Sequence, residues 1–469
     1  MRKLLAIALA IVGCKSGSDS KPAPAGSATG SGIDPWAVTP PPKPPDTPEA
    51  RKARADAAVG RVVAIEPEVA KLRALAFTRE VPAQFQAAAD FRAFVHREIA
   101  KELPARRSRD ISDAYTHLGL FAKSVDLAAI EEQAMVTQAG AYYDPAARQF
   151  FLVAVPDSDL FLDTISAHEL THALQDQHFD LHKYLPEAGA LDEDAVNARR
   201  FVVEGDATLV MMLYAVRKTL TDGVPPAVLA SLRGQIEGFA HQSLAELKEQ
   251  SRSQAALLPG LGDDIKKAID AMDDIPPAVL IPLLDAYMGG ALVALTAYER
   301  GGWPAVDQLF REPPESTAQV LHPSTKLLPV RVHPHKVALA RLPDPELASG
   351  VMGELQWRVY FGLWQTPDPD AAADGWAGDH FAVTRGKDGR LVGRIATIWD
   401  DEAAATRFAA AYLASLAARF PGAAQTATGV TRPDGGVIVV RRAGTRVFIV
   451  DGADSPAALD ALVRTSKLD

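Results

Sequence analysis

The sequence predicts an α+β protein: a mainly helical region over 49–342 holding one short hairpin, followed by a small α+β domain over 345–469. Three observations carry this. Apolar residues recur at helical spacing through the first region; they alternate around a turn signal only at "GAYYDPAARQFFLVAV"; and after about residue 345 short alternating runs take over. The 469 residues, 48% hydrophobic and 23% charged, are enough for a large core. A net charge of -10 and the lack of a long Lys/Arg cluster argue against a nucleic-acid partner.

The chain opens "MRKLLAIALAIVGCKSGSDS", with Arg2 and Lys3 ahead of an apolar run from Leu4 to Val12 that is too short to span a bilayer. This resembles a bacterial lipoprotein signal over 1–14, with "IVGC" as the lipobox and Cys14 as the acylated residue; an ordinary signal peptide with an incidental cysteine is the alternative. The resemblance implies export and a lipid anchor in the bacterial envelope, and Lys15 after the cysteine favours the outer membrane over the inner. Cys14 is the single cysteine, so no internal disulfide can form. Residues 15–48 are Ser/Gly-rich and then Pro-rich, too poor in apolar groups to offset the entropy of ordering, and read as a disordered tether. Trp36 within it is either a docking point or incidental.

In the helical region, Phe91, Phe94, Val95, Ile99 and Leu103 mark one helix, which Asp90 is placed to cap. The hairpin is expected from Ala141 to Val155. A helix follows, capped by Asp157 or Ser158, with Ile165, Leu170, Ala173 and Leu174 toward the core. "LDEDAVNARRFVVEGDATLVMMLYAVRKTL" reads as a second long helix, and "IPLLDAYMGGALVALTAYERGGW" as a third ending at Gly301 and Gly302. Beyond 345, "HFAVTRG", "LVGRIATIWD", "GGVIVVRRAG" and "TRVFIVDG" are strand candidates, with helices at "DEAAATRFAAAYLASLAARF" and "SPAALDALVRTS".

The chemistry concentrates in "TISAHELTHALQDQHFDLH". His168, Glu169 and His172 form H-E-x-x-H; on a helix, histidines four apart leave one face a turn apart and can share one Zn2+. Glu169 beside them is placed to take a proton from a water that the metal acidifies and to pass it to a leaving amine. A zinc site needs a third protein ligand, and Glu204 in "VVEGDA" is the choice, because a carboxylate in an apolar helical stretch needs a partner. Its alternative is a salt bridge with Arg200. His178 and His182 are also four apart, but lack an adjacent acid base and lie where the helix should end, a place that the macrodipole makes favourable for histidine.

"AHELTHALQDQHFD" followed by "VEGDAT" resembles the gluzincin type of zincin metallopeptidases, in particular a group of bacterial, often exported H-E-x-x-H proteins, most strongly over about 140–210. That likeness implies a zincin-like metallopeptidase domain over 49–342 with His168, His172 and Glu204 as zinc ligands and Glu169 as general base. Thermolysin-like members carry an Asp four residues after the ligand Glu to orient a histidine, whereas Thr208 stands here. Asp206 is expected on another helix face, and Asp176, one turn beyond His172, is the candidate substitute. "PPESTAQVLHPSTKL" resembles a Ser-Thr, His-Pro segment of the same group. His322 is therefore the first candidate to stabilise the oxyanion, ahead of Tyr142 and Tyr143; its alternative is to fix the start of the link to the last domain. In zincins a strand above the active-site helix pairs with extended substrate, and "RQFFLVAV" is expected to supply that edge.

No G-x-S-x-G, P-loop or dinucleotide fingerprint occurs in the chain. The C-terminal domain shows no metal spacing and reads as a packing or cleft-closing domain, with a peptidoglycan- or protein-binding module as the alternative. The leading expectation is an envelope zinc metallopeptidase acting on a protein or peptide. The rivals are a catalytically silent zincin-fold binding or scaffold lipoprotein and an amidase acting on peptidoglycan stem peptides.

Overall fold

The computed structural model describes residues 47–138, 140–156, 158–187, 189–217, 220, 224–240, 244–255, 269–432, 435–452 and 455–468. The signal segment with Cys14, the tether as far as residue 46 with Trp36, and Asp157 lie outside the described residues.

The first region is mostly helical. α1 (Pro48–Arg73) leads to a three-residue strand β1 (Ala83–Phe85), then α2 (Ala88–Glu102), α3 (Ala105–Leu118) and α4 (Leu127–Gln138). The hairpin follows as β2 (Ala141–Asp144) and β3 (Gln149–Leu152), antiparallel, with Tyr143 opposite Phe150. After it come α5 (Asp159–Phe179), α6 (Leu181–Tyr184), α7 (Glu193–Ala215), α8 (Pro226–Ala240), α9 (Leu244–Ala255), α10 (Pro277–Arg311) and α11 (Thr317–Leu321).

Three local expectations are corrected. Asp90 does not cap α2: the cap position is Ala87, without a side-chain bond, and Asp90 sits in the first turn, where a negative charge favours the positive end of the dipole. The third long helix does not end at its glycines. Gly301 and Gly302 leave helical geometry, with φ +62° at Gly302, and the chain kinks and resumes to Arg311. The hairpin also gains a third strand, β1, parallel to β3 with Ala83 opposite Phe150. The order β1-β3-β2 makes β3 the central strand, so the edge expected of "RQFFLVAV" for substrate pairing is already taken on both sides.

α10 is long and apolar enough to cross a membrane by length and composition, and 56% of its most apolar window is buried inside the protein. Its place is the core, against α7. The two helices meet backbone to backbone: a Cβ on Gly205 would lie 2.1 Å from the carbonyl carbon of Gly290, and one on Gly290 would lie 2.3 Å from the oxygen of Phe201. Only glycine permits that approach. One hydrophobic cluster joins α1, the small sheet, α5, α7 and α10 through residues such as Val69, Phe150, Leu170, Val203 and Leu295.

The C-terminal region is built on a seven-stranded antiparallel sheet, from β5 (Glu346–Gly350) at one edge through β6 (Trp376–Arg385), β7 (Leu391–Trp399), β11 (Arg446–Gly452), β10 (Val437–Ala443) and β9 (Gly429–Thr431) to β8 (Ala424–Thr426). β4 (Val337–Ala338) pairs separately with β12 (Lys467–Leu468). Helices α12 (Gly353–Leu363), α13 (Pro369–Ala373), α14 (Glu402–Arg419) and α15 (Ser455–Thr465) complete it. The whole is α+β, as predicted. A second cluster runs from Phe91, Val95 and Leu118 of the helical region into Trp357, Trp376 and Phe408, so the two regions share a core.

At that junction Asp379 of β6 is buried and accepts four N–H donors: Met352 N at 2.8 Å, Gly353 N at 3.3 Å, Trp357 Nε1 at 2.9 Å and Trp376 Nε1 at 2.8 Å. Burial pushes the carboxyl up to about 6 against the pull of these donors, so the carboxylate is the form present at neutral pH. Replacing Asp379 with Asn turns one of its two acceptor oxygens into an NH2 donor, which must then face either the tryptophans or the N–H of Met352. A loss of about 2–4 kcal/mol is expected, read from the urea midpoint at unchanged slope; an unchanged midpoint would show that the network contributes nothing.

Candidate metal centre

The site is assembled by α5 and α7. Ser158 caps α5, its Oγ accepting from Phe161 N, and the helix is buried along nearly all of 162–175, so its position is fixed by packing on every side. It ends at Asp180, in left-handed geometry with φ +57°. Asp192 caps α7 in the same manner, accepting from Ala195 N at 2.8 Å.

The structure brings together His168, His172 and Glu204. The two Nε2 atoms are 3.1 Å apart, and Glu204 Oε2 lies 3.2 Å from His168 Nε2 and 3.6 Å from His172 Nε2. All three residues are buried, and their donor atoms converge so that they could hold a metal ion. Glu204 thus faces the histidines and not Arg200, whose contacts are Asn197 and Glu193. Burial tends to raise the Glu204 carboxyl, but His172 and His168 together outweigh it and hold the group well below its ordinary range. His172 is raised: burial opposes a charge on it, and Glu204 with Glu169 prevails. His168 is lowered, chiefly by burial.

Glu169 is fully buried beside the trio. Its Oε2 accepts from the backbone N–H of Tyr143 in β2 at 3.0 Å, whereas Oε1 has no hydrogen-bond partner. Burial pushes its carboxyl up to about 8. β2 therefore runs beside α5 and orients the acid through its backbone, all four of its residues being buried.

Other expectations resolve differently. Asp176 does not support a ligand histidine: it accepts from Tyr143 Oη at 2.9 Å and pairs with Arg79 at 2.8 Å, which anchors the hairpin to α5. The partner of His172 Nδ1 is Gln175 Oε1 at 2.9 Å. Asp206, expected on another face, is buried and accepts from Gln175 Nε2 at 2.9 Å, because α7 lies close enough for an amide to span the gap. Thr208 is buried and its hydroxyl has no hydrogen-bond partner.

His322 bonds to Glu354 at 2.6 Å, with Asp374 at 3.6 Å. These three could form a second metal group by spacing, but the guanidinium of Arg358 stands 2.6 Å from Glu354 Oε1 and 3.3 Å from His322 Nε2. A cation already serves this cluster, which ties the end of α11 to α12. The linking role accounts for His322, and the oxyanion assignment finds no support in its contacts. Tyr142 and Tyr143 direct their hydroxyls to Gln86 and Asp176. His178 faces the carbonyl oxygen of Ala76 at 2.7 Å and His182 is exposed, so neither joins the trio.

One residue that sequence reasoning missed is Tyr287 of α10. Its ring stacks on His168 with centroids 5.7 Å apart, and its hydroxyl interacts with the Glu204 carboxylate. Burial holds the phenol well above its ordinary value, so it remains an O–H donor. Its one sequence signal is its place in an apolar run, three residues before Gly290, which meets α7.

Residues 341–463 match a family described as a domain of unknown function (DUF8575), which covers the C-terminal sheet and none of the metal trio. No curated protein and no solved structure matches the chain.

Proposed function

We propose that the chain is a zinc-dependent metallopeptidase of the bacterial envelope, tethered through Cys14 and hydrolysing peptide bonds in a protein or peptide. Zinc suits the donor set: two imidazoles and a carboxylate are a common three-ligand catalytic combination, and ligands about 2.0–2.1 Å from a tetrahedral ion stand about 3.3 Å apart, near the spacings of this trio. When bound, the ion would acidify a water and polarise a carbonyl.

The observation that carries the reading is Glu169. A site that merely binds metal needs ligands, yet here a further carboxylate is buried next to them, with one oxygen held by Tyr143 N and the other unpartnered. Burial keeps this acid largely protonated in the neutral range without metal, and the charge of a bound cation would favour the carboxylate that accepts a proton. Its backbone bond holds Oε2, and Tyr287, whose hydroxyl interacts with Glu204, offers an O–H donor for charge that develops on a carbonyl oxygen.

Substituting Glu169→Gln is expected to cut turnover about 10²–10⁴-fold while zinc content stays at that of the parent. Unfolded protein and isolated sacculi offered side by side separate a peptidase from a stem-peptide amidase. Equal turnover in parent and variant, or none on either substrate by a zinc-loaded parent, would favour the silent scaffold.

A further inference from the structure

The geometry points to Gln175, Asp206 and Arg73 as a positioning relay that fixes the ring of His172, with its proton on Nδ1 and its Nε2 lone pair presented to the metal. This inference rests on the metal-site reading above and adds the device that prepares one ligand.

The assignment follows from what each atom can do. Gln175 is fully buried, and one end of its amide lies 2.9 Å from the carbonyl oxygen of Val203 and 2.9 Å from Asp206 Oδ2. Both neighbours only accept, so that end is the NH2 and the amide cannot be reversed. Oε1 is thereby fixed toward His172 Nδ1, 2.9 Å away, and because an amide oxygen only accepts, Nδ1 carries a hydrogen. The other ring nitrogen is left facing His168 and Glu204.

Asp206 is held in turn. Arg73, in the last turn of α1 and fully buried, places Nε 2.7 Å from Asp206 Oδ1 as a close ion pair, donates from Nη2 to Asp307 of α10 at 2.7 Å, and lies over the ring of Trp303 at 4.6 Å. One chain of side chains thus joins α1, α5, α7 and α10 to a single imidazole. An amide is an apt link. A carboxylate at 175 would face the oxygens of Val203 and Asp206 and add one more buried negative charge to a site holding Glu169, Glu204 and Asp206. The neutral amide orients the ring without that charge.

The test uses the full chain with Zn2+ alone as probe. Nitrogen-15 histidine NMR, with and without zinc, should show a slowly exchanging proton on His172 Nδ1 in both states. Gln175→Leu should abolish that signal and weaken zinc binding about 10–100-fold in chelator competition. Thr208→Val, equally buried on α7 but outside the relay, should leave both unchanged. An unprotonated Nδ1 in the parent overturns the relay whether or not Gln175→Leu folds, and so does parental zinc affinity in that variant. A parent that binds no zinc but keeps a slowly exchanging Nδ1 proton that Gln175→Leu loses would sink the metal-site reading and leave the relay standing.

Discussion

Replacing Glu204 by alanine is expected to remove the metal while leaving the chain folded. The parent should hold about one zinc per chain. Free energies of about 10–16 kcal/mol for four-ligand structural sites put each ligand near 3–4 kcal/mol, so the variant should lose two to three decades of affinity. The fold should survive, since Glu204 contacts His168, His172 and Tyr287 and bridges no other element. Elemental analysis beside a thermal melt separates the outcomes: zinc retained in Glu204→Ala would remove Glu204 from the ligand set, whereas no zinc in a folded parent would remove the site.

The same pair of proteins should differ in pH dependence. Without metal, Glu204 chiefly outweighs the burial of His172 and raises it to about 9, so in the neutral range the ring carries a second proton, on Nε2, beside the one on Nδ1. A metal ion must expel that proton. Apparent affinity of the parent should therefore fall about tenfold for each unit of pH below about 9. In Glu204→Ala the main source of the raised value is gone and the slope should flatten toward neutrality. A pH-independent affinity in the parent would show that no proton is exchanged for the metal.

How much of this was legible in the sequence depends on the range of each interaction. His168, Glu169 and His172 announce themselves because a spacing of four on a helix is a local fact, and Glu204 stands out as an acid within an apolar run of its own helix. Ser158 is readable as a cap for the same reason. The errors lie where a partner comes from another element. Asp176 sits on the expected stripe of α5, but Tyr143 and Arg79 reach it first. Helical geometry alone places Asp206 away from the site, and Gln175 supplies the length that geometry lacks. β1, only Ala83–Phe85, is too short to show a period, and without it β3 looks like an edge. Tyr287 and His322 differ only in what α10 and α12 place beside them.

Glycines show the same limit, and one of them carries the second large effect. Gly60, in α1, and Gly205, in α7, are both helical glycines and look alike in sequence. Gly60 has nothing within 4 Å of an added Cβ, so Gly60→Ala should stabilise by up to about 1 kcal/mol through helix propensity. Gly205→Ala should do the reverse. Its Cβ would stand 2.1 Å from Gly290 backbone, where ordinary contact begins at 3.4 Å, so α7 and α10 must part by more than 1 Å. Backbone cannot rotate away as a side chain can, and the cost should reach about 3 kcal/mol or more, beyond the upper end for overpacking side chains. Parting these helices also draws Tyr287 on α10 away from Glu204 on α7 and His168 on α5, so whatever fraction folds should bind zinc less tightly than the parent. Melting temperature and zinc affinity measured on the two variants test both halves. A Gly205→Ala protein as stable as the parent would mean that α7 and α10 are farther apart than the close approach requires, and with that the shared placement of Glu204 and Tyr287 would lose its physical basis.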